Sequence, residues 1–88
     1  MAYSFIMRPE LDENLKKIKK KNSVLFERIG KKIEEIVQNP ERYKPLRYDM
    51  KGIRRVHLDP FVLSFTIIES ENRVEFLKVE HHDKAYKR

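Results

Sequence analysis

Three strand-like runs crowded into the last third of the chain leave little freedom in how it can fold. Residues 53–58, 61–68 and 73–80 are rich in Ile, Val, Leu and Phe, and only Asp59-Pro60 and Glu69-Ser70-Glu71-Asn72 separate them. A parallel crossover needs a dozen or more residues, so gaps this short make consecutive runs antiparallel neighbours. Upstream the apolar period changes. Tyr3-Ser4-Phe5-Ile6-Met7 favours a further strand, and Pro9 fits the first position of a helix. Leu11, Leu15 and Ile18 then recur at helical spacing, with the lysine-rich run 16–21 on the other sides. Asn22-Ser23 reads as the turn and N-cap of a second, longer helix, whose apolar stripe is Val24, Leu25, Ile29, Ile33, Ile36 and Val37. Asn39-Pro40 closes it, because proline disfavours helical geometry in the residue before it. Two helices joined this tightly form an antiparallel hairpin. The expected class is α+β in the order β-α-α-β-β-β, with the helical hairpin on one face of a small antiparallel sheet.

Eighty-eight residues suffice for one such domain, spanning 1–88, with a modest core. There is no cysteine, so burial of apolar surface has to supply the stability that a disulfide or a thiolate zinc site would otherwise add. The longest mostly apolar stretch, 61–68, is broken by Ser64 and Thr66 and is far too short to cross a bilayer. The N-terminus lacks the apolar block of a signal peptide. A soluble, cytoplasmic protein with no membrane partner is the expectation.

Twenty Lys/Arg against fourteen Asp/Glu leave a formal charge of +6. Such a surface attracts polyanions by releasing their counterions, without saying whether the polyanion is nucleic acid or an acidic protein. Most of the excess is local. Between Arg42 and His57 stand six Lys/Arg (Arg42, Lys44, Arg47, Lys51, Arg54 and Arg55) and one acid, Asp49, a balance of +5. Strand alternation puts Arg54, Val56 and Leu58 on one face of the 53–58 run and Arg55 with His57 on the other. Val56 and Leu58 mark the side that packs on the helices, so Arg55 and His57 belong to the open face.

After the last strand come His81, His82, Lys84 and Tyr86. Imidazole exchanges protons readily near neutrality. Guanidinium and ammonium groups stabilise the negative charge that builds on a pentavalent phosphorus. A phenol can donate to a leaving oxygen or stack on a base. Together these groups are what an RNA 2′-hydroxyl needs to attack its neighbouring phosphate. Each also has a plainer reading. The lysine run is ordinarily a solvated helix face, the basic stretch equally suits an acidic protein, His81-His82 can be exposed and inert, and Tyr86 can anchor the tail. Adjacent histidines on a strand point apart and no carboxylate stands at helical spacing from one, so no metal site and no cofactor are expected.

The order of elements, the Asn39-Pro40 helix end, Leu46-Arg47, the segment Arg54-Arg55-Val56-His57-Leu58 and a tail with a tyrosine after histidines resemble the RelE/ParE toxin superfamily. The resemblance runs over most of the chain. It implies a RelE-like mRNA interferase: the toxin of a type II toxin-antitoxin system, a metal-independent endoribonuclease that cleaves mRNA in the ribosomal A site and inhibits translation. It further implies mRNA and ribosomal RNA as partners, and an acidic RelB-like antitoxin bound in a heterotetramer or other hetero-oligomer. Residue by residue, the family's basic pair looks like Arg55 and His57, its basic residue after the last strand like His82 with His81 beside it, and its tail tyrosine like Tyr86. Those implied catalytic residues are Arg55, His57, His82 and Tyr86; Arg47, Lys51, Arg54, His81 and Lys84 are the implied RNA or phosphate contacts. The chain departs from the pattern where RelE-like nucleases carry an arginine early in the third strand. It has Phe61-Val62-Leu63 there, which leaves Arg54, Lys84 or Arg88 to compensate. A ParE-like toxin that acts on DNA gyrase without nuclease chemistry, and a non-catalytic basic interaction module, are the alternatives.

Overall fold

The computed structural model describes residues 3–44 and 52–85, with side chains as far as Asp83. Six of its elements follow the expected order: β1 (Ser4–Met7), α1 (Pro9–Lys21), α2 (Ser23–Gln38), β2 (Arg54–Leu58), β3 (Phe61–Ile68) and β4 (Arg73–His81); a four-residue helix, α3 (His82–Ala85), which the sequence pattern did not announce, follows them. Short 3-10 turns stand at Pro40–Arg42 and Glu69–Glu71.

Each boundary has a local cause. Pro9 opens α1 where its missing N–H costs nothing. The Asn22 side chain accepts a hydrogen bond from the Leu25 amide at 3.1 Å and so caps α2. The Asp59-Pro60 bond is cis within the two-residue turn between β2 and β3, and Arg28 of α2 donates to the Asp59 carbonyl at 3.2 Å. Asn72 takes the left-handed conformation before β4 (φ 49°), which asparagine tolerates better than most residues.

The sheet order is β1-β4-β3-β2. The β2–β3 and β3–β4 pairs are antiparallel, as the short turns require. The sheet as a whole is mixed, however, because β1 pairs with β4 in parallel. The helical hairpin explains this. Beyond β1, α1 keeps the direction of β4: the Arg8 amide donates to the Phe76 carbonyl at 3.1 Å and Asn14 Nδ2 to Val79 O at 3.1 Å. Then α2 returns the chain to where β1 began, and the Tyr3 amide reaches the Val37 carbonyl at 2.9 Å. From that end β2, β3 and β4 run forward, back and forward, so β4 lies parallel to β1.

Leu11 and Leu15 of α1 and Leu25, Ile29, Ile33, Ile36 and Val37 of α2 pack against Val56, Leu58, Leu63, Phe65, Val74, Phe76 and Val79 of the sheet. At the centre the Phe65 and Phe76 rings lie 5.9 Å apart, both fully buried, and Tyr43 meets Phe65 edge-on at 5.9 Å. Burying side chains of this size stabilises the fold by about 1.5–3 kcal/mol each. Val24, expected in the α2 stripe, is instead 67% exposed. It lies one residue, about 100° of helix, before Leu25, whose row continues through Ile29, Ile33 and Ile36. Among the described residues no helix is long and apolar enough to cross a membrane.

Candidate functional site

The helices cover one face of the sheet, and strand alternation sends a different set of side chains to the other. On β2, Val56 and Leu58 are buried in the core, which turns Arg55 and His57 to the open face. Cross-strand pairing extends both residues into rows. Arg55 is opposite Ser64, which is opposite Lys78; His57 is opposite Val62, which is opposite Glu80. Val62 and Ser64 are both buried in the middle of these rows, and neither belongs to the helix-packed core cluster. The Ser64 hydroxyl donates to the Lys78 carbonyl at 3.3 Å, and Lys78 Nζ lies 3.4 Å from Glu80 Oε1.

The end of β4 completes the site. The His82 amide donates to the Pro60 carbonyl at 2.8 Å, which holds the start of α3 against the β2–β3 turn. That anchor brings the His82 ring beside His57, with centroids 5.7 Å apart and planes tilted by 40°. Two histidines far apart in the chain thus meet at one corner of the open face, with Arg55 in the adjoining row. The Asp83 carboxylate sits 3.8 Å from Nδ1 of both His81 and His82.

Other expected site residues lie elsewhere. Arg54 is on the helix side of β2, and its guanidinium donates to the Pro40 carbonyl at 3.1 Å. His81 shares a row with Leu58 and Phe61, meets the Phe61 ring at 5.8 Å, and lines a groove of about 410 Å³ with Glu10, Leu11 and Asn14 of α1. The Asp83 amide donates to its Nδ1 at 3.3 Å. His82 opens α3 rather than continuing β4, and the two histidines make separate ring contacts, His81 with Phe61 and His82 with His57. Arg47, Lys51 and Tyr86 lie outside the described residues, and so does the side chain of Lys84. Among the described residues no three His, Cys, Asp or Glu side chains are grouped to hold a metal ion.

Lys78 and Glu80 are absent from the sequence-derived set. Strict alternation from the buried Val74 and Phe76 would point both into the core. A bulge prevents this: Ser64 pairs with Lys78 but Phe65 with Phe76, so Leu77 is an extra residue that reverses the facing of everything after it. The sequence carries a trace of the reversal, since buried Val79 breaks the even-numbered alternation of Val74 and Phe76.

The family model described as "ParE toxin of type II toxin-antitoxin system, parDE" matches residues 5–86. A protein of Methanocaldococcus jannaschii, "Putative toxin RelE4", is 42% identical over 87 residues, which cover 98% of this chain and 93% of the relative. Among solved structures, the isolated E. coli RelE toxin superposes with a TM-score of 0.76 at 20% identity, over 91% of this chain and 84% of that one. The archaeal RelE-RelB complex of Pyrococcus horikoshii gives a TM-score of 0.75 at 12% identity, over 93% of this chain and 97% of the other. At those identities the structural likeness concerns the fold.

Proposed function

The chain belongs to the ParE toxin family of type II toxin-antitoxin systems, within the RelE/ParE superfamily, and from that membership we propose that it acts as a RelE-type endoribonuclease on mRNA in the ribosomal A site. The observation that carries this reading is the meeting of His57 and His82 on the open face, one row from Arg55. One histidine takes the proton of a ribose 2′-hydroxyl as its oxygen attacks the adjacent phosphorus. The other gives a proton to the 5′-oxygen as the P–O5′ bond breaks, leaving a 2′,3′-cyclic phosphate and a 5′-hydroxyl. Arg55 stabilises the charge on the phosphorane oxygens, Arg47 and Lys51 hold neighbouring phosphates, and Tyr86 stacks on or orients the mRNA. The chemistry proceeds without a metal ion.

The partner follows from the same membership. The P. horikoshii relative was solved as a complex with RelB, and a net charge of +6 suits an acidic antitoxin. The proposed resting form is therefore a heterotetramer or other hetero-oligomer of the single toxin domain, residues 1–88, with RelB-like chains, in the compartment where ribosomes translate.

The test is a primer-extension map of a defined mRNA on translating ribosomes. The protein is expected to produce cuts at A-site codons. Alanine at His57 or His82 alone slows them by roughly 100-fold, and alanine at His57, His82 and Tyr86 together abolishes them. Undiminished cutting by the triple variant refutes the assignment. A second reading is a ParE-type toxin acting on DNA gyrase; the match to the ParE toxin family model is the observation that favours it. Inhibition of supercoiling by purified gyrase, with no RNA cuts, would select it.

A further inference from the structure

The early third strand presents Phe61-Val62-Leu63 and no cation, yet a phosphate beside the two histidines needs positive charge on more than one side. We propose that Lys78 of β4 supplies it, forming with Arg55 a phosphate subsite that straddles Ser64; this rests on the RNA-cleaving reading above. Arg55, Ser64 and Lys78 are consecutive in one cross-strand row on the open face. Adjacent strands lie about 4.8 Å apart, so the two cationic stems rise about 10 Å from each other. Between them stands a small side chain, Ser64, whose hydroxyl is engaged with the Lys78 carbonyl. Ser64 itself is buried, so the proposed phosphate lies over it, between the Arg55 and Lys78 heads.

The neighbouring row fixes the orientation. Glu80 stands across Val62 from His57, and its carboxylate repels a phosphate that slides out of the Arg55–Lys78 row. The Lys78–Glu80 ion pair, with Lys78 more than half exposed, is weak and easily exchanged for a phosphate oxygen. His57 and His82 are then left at the flank of the bound phosphate, where the attacking and leaving oxygens need them. The subsite exists only because the Leu77 bulge turns Lys78 outward.

Single-turnover cleavage of mRNA on translating ribosomes, at saturating protein, tests the assignment. Lys78→Ala and Lys78→Gln are expected to slow the rate by about 10- to 100-fold with the thermal midpoint unchanged. Lys78→Arg should restore it to within a few-fold, because the charge and not the packing is needed. Arg73→Ala, which removes one charge from the far end of the same strand, should behave as the parent protein does. A wild-type rate for Lys78→Ala, or an arginine variant as slow as the alanine one, overturns the Lys78 assignment and leaves the nuclease reading standing. A parent protein that makes no cuts refutes the nuclease reading and the subsite with it.

Discussion

Tyr3 shows how much one side chain at a sheet margin can register of the whole fold. Its hydroxyl pKa is raised above the ordinary value of 10.0, first by burial, then by the charges of Glu41 and Glu69 and a hydrogen bond to Glu41, with Arg54 pulling the other way. A raised pKa means that the folded state holds the proton more tightly than the unfolded chain does. The resulting stability is fully present below about pH 10 and is lost as pH rises through the folded-state value. Urea melts above pH 10 should therefore show a shallower loss of stability for Tyr3→Phe than for the parent, and identical slopes would remove Tyr3 from the account. The same residue explains Arg54. A guanidinium bonded to the Pro40 carbonyl beside Tyr3 and Glu41 serves the seam between β2 and the helix layer, which alternation along β2 already implied by placing Arg54 with Val56 and Leu58.

At the scale of elements, caps and turns acted locally and the sequence announced them. The tight junction between α1 and α2 depends on Asn22, whose side chain holds the Leu25 amide and whose own amide closes α1 on the Ile18 carbonyl. Replacing Asn22 by alanine should cost about 1 kcal/mol in chemical denaturation, and glycine there only a few tenths. A neutral Asn22→Ala would mean that the hairpin is held by its apolar contacts alone. The β4 strand behaved differently. Its extent was legible from composition, but its facing was not, because one extra residue at Leu77 reverses the alternation midway. Lys78 and Glu80 were hidden for that reason, while Arg55 and His57, on the short unbulged β2, were placed correctly by alternation alone.

For the whole molecule the balance of charge matters more than any pair. The ion pairs found among the described residues, such as Arg8–Glu75 and Lys16–Asp12, join partly or largely exposed groups, and pairs of that kind contribute about 0–1 kcal/mol. A net +6 spread over so small a surface repels itself. Raising sodium chloride from 10 mM to 0.3 M shortens the screening length from about 30 Å to well under 10 Å. The thermal midpoint should consequently rise by a few degrees; a fall would show that the surface pairs outweigh the repulsion.

The sequence by itself determined the order of the four strands and the two long helices and their bounds to within a residue, the antiparallel pairing of β2, β3 and β4, and the facing of Arg55 and His57; the short α3 it did not announce. Each of these follows from the apolar period, the turn residues or the length of a gap, which act over a few neighbouring residues. Only the tertiary structure decided that β1 joins β4 in parallel, that a bulge turns Lys78 and Glu80 outward, and that His82 meets His57 while His81 turns to Phe61 and α1. Those outcomes depend on where distant segments land against one another. The helical hairpin returns the chain to the end where β1 began, and the His82 amide finds the Pro60 carbonyl. No local pattern records contacts made across so much intervening chain.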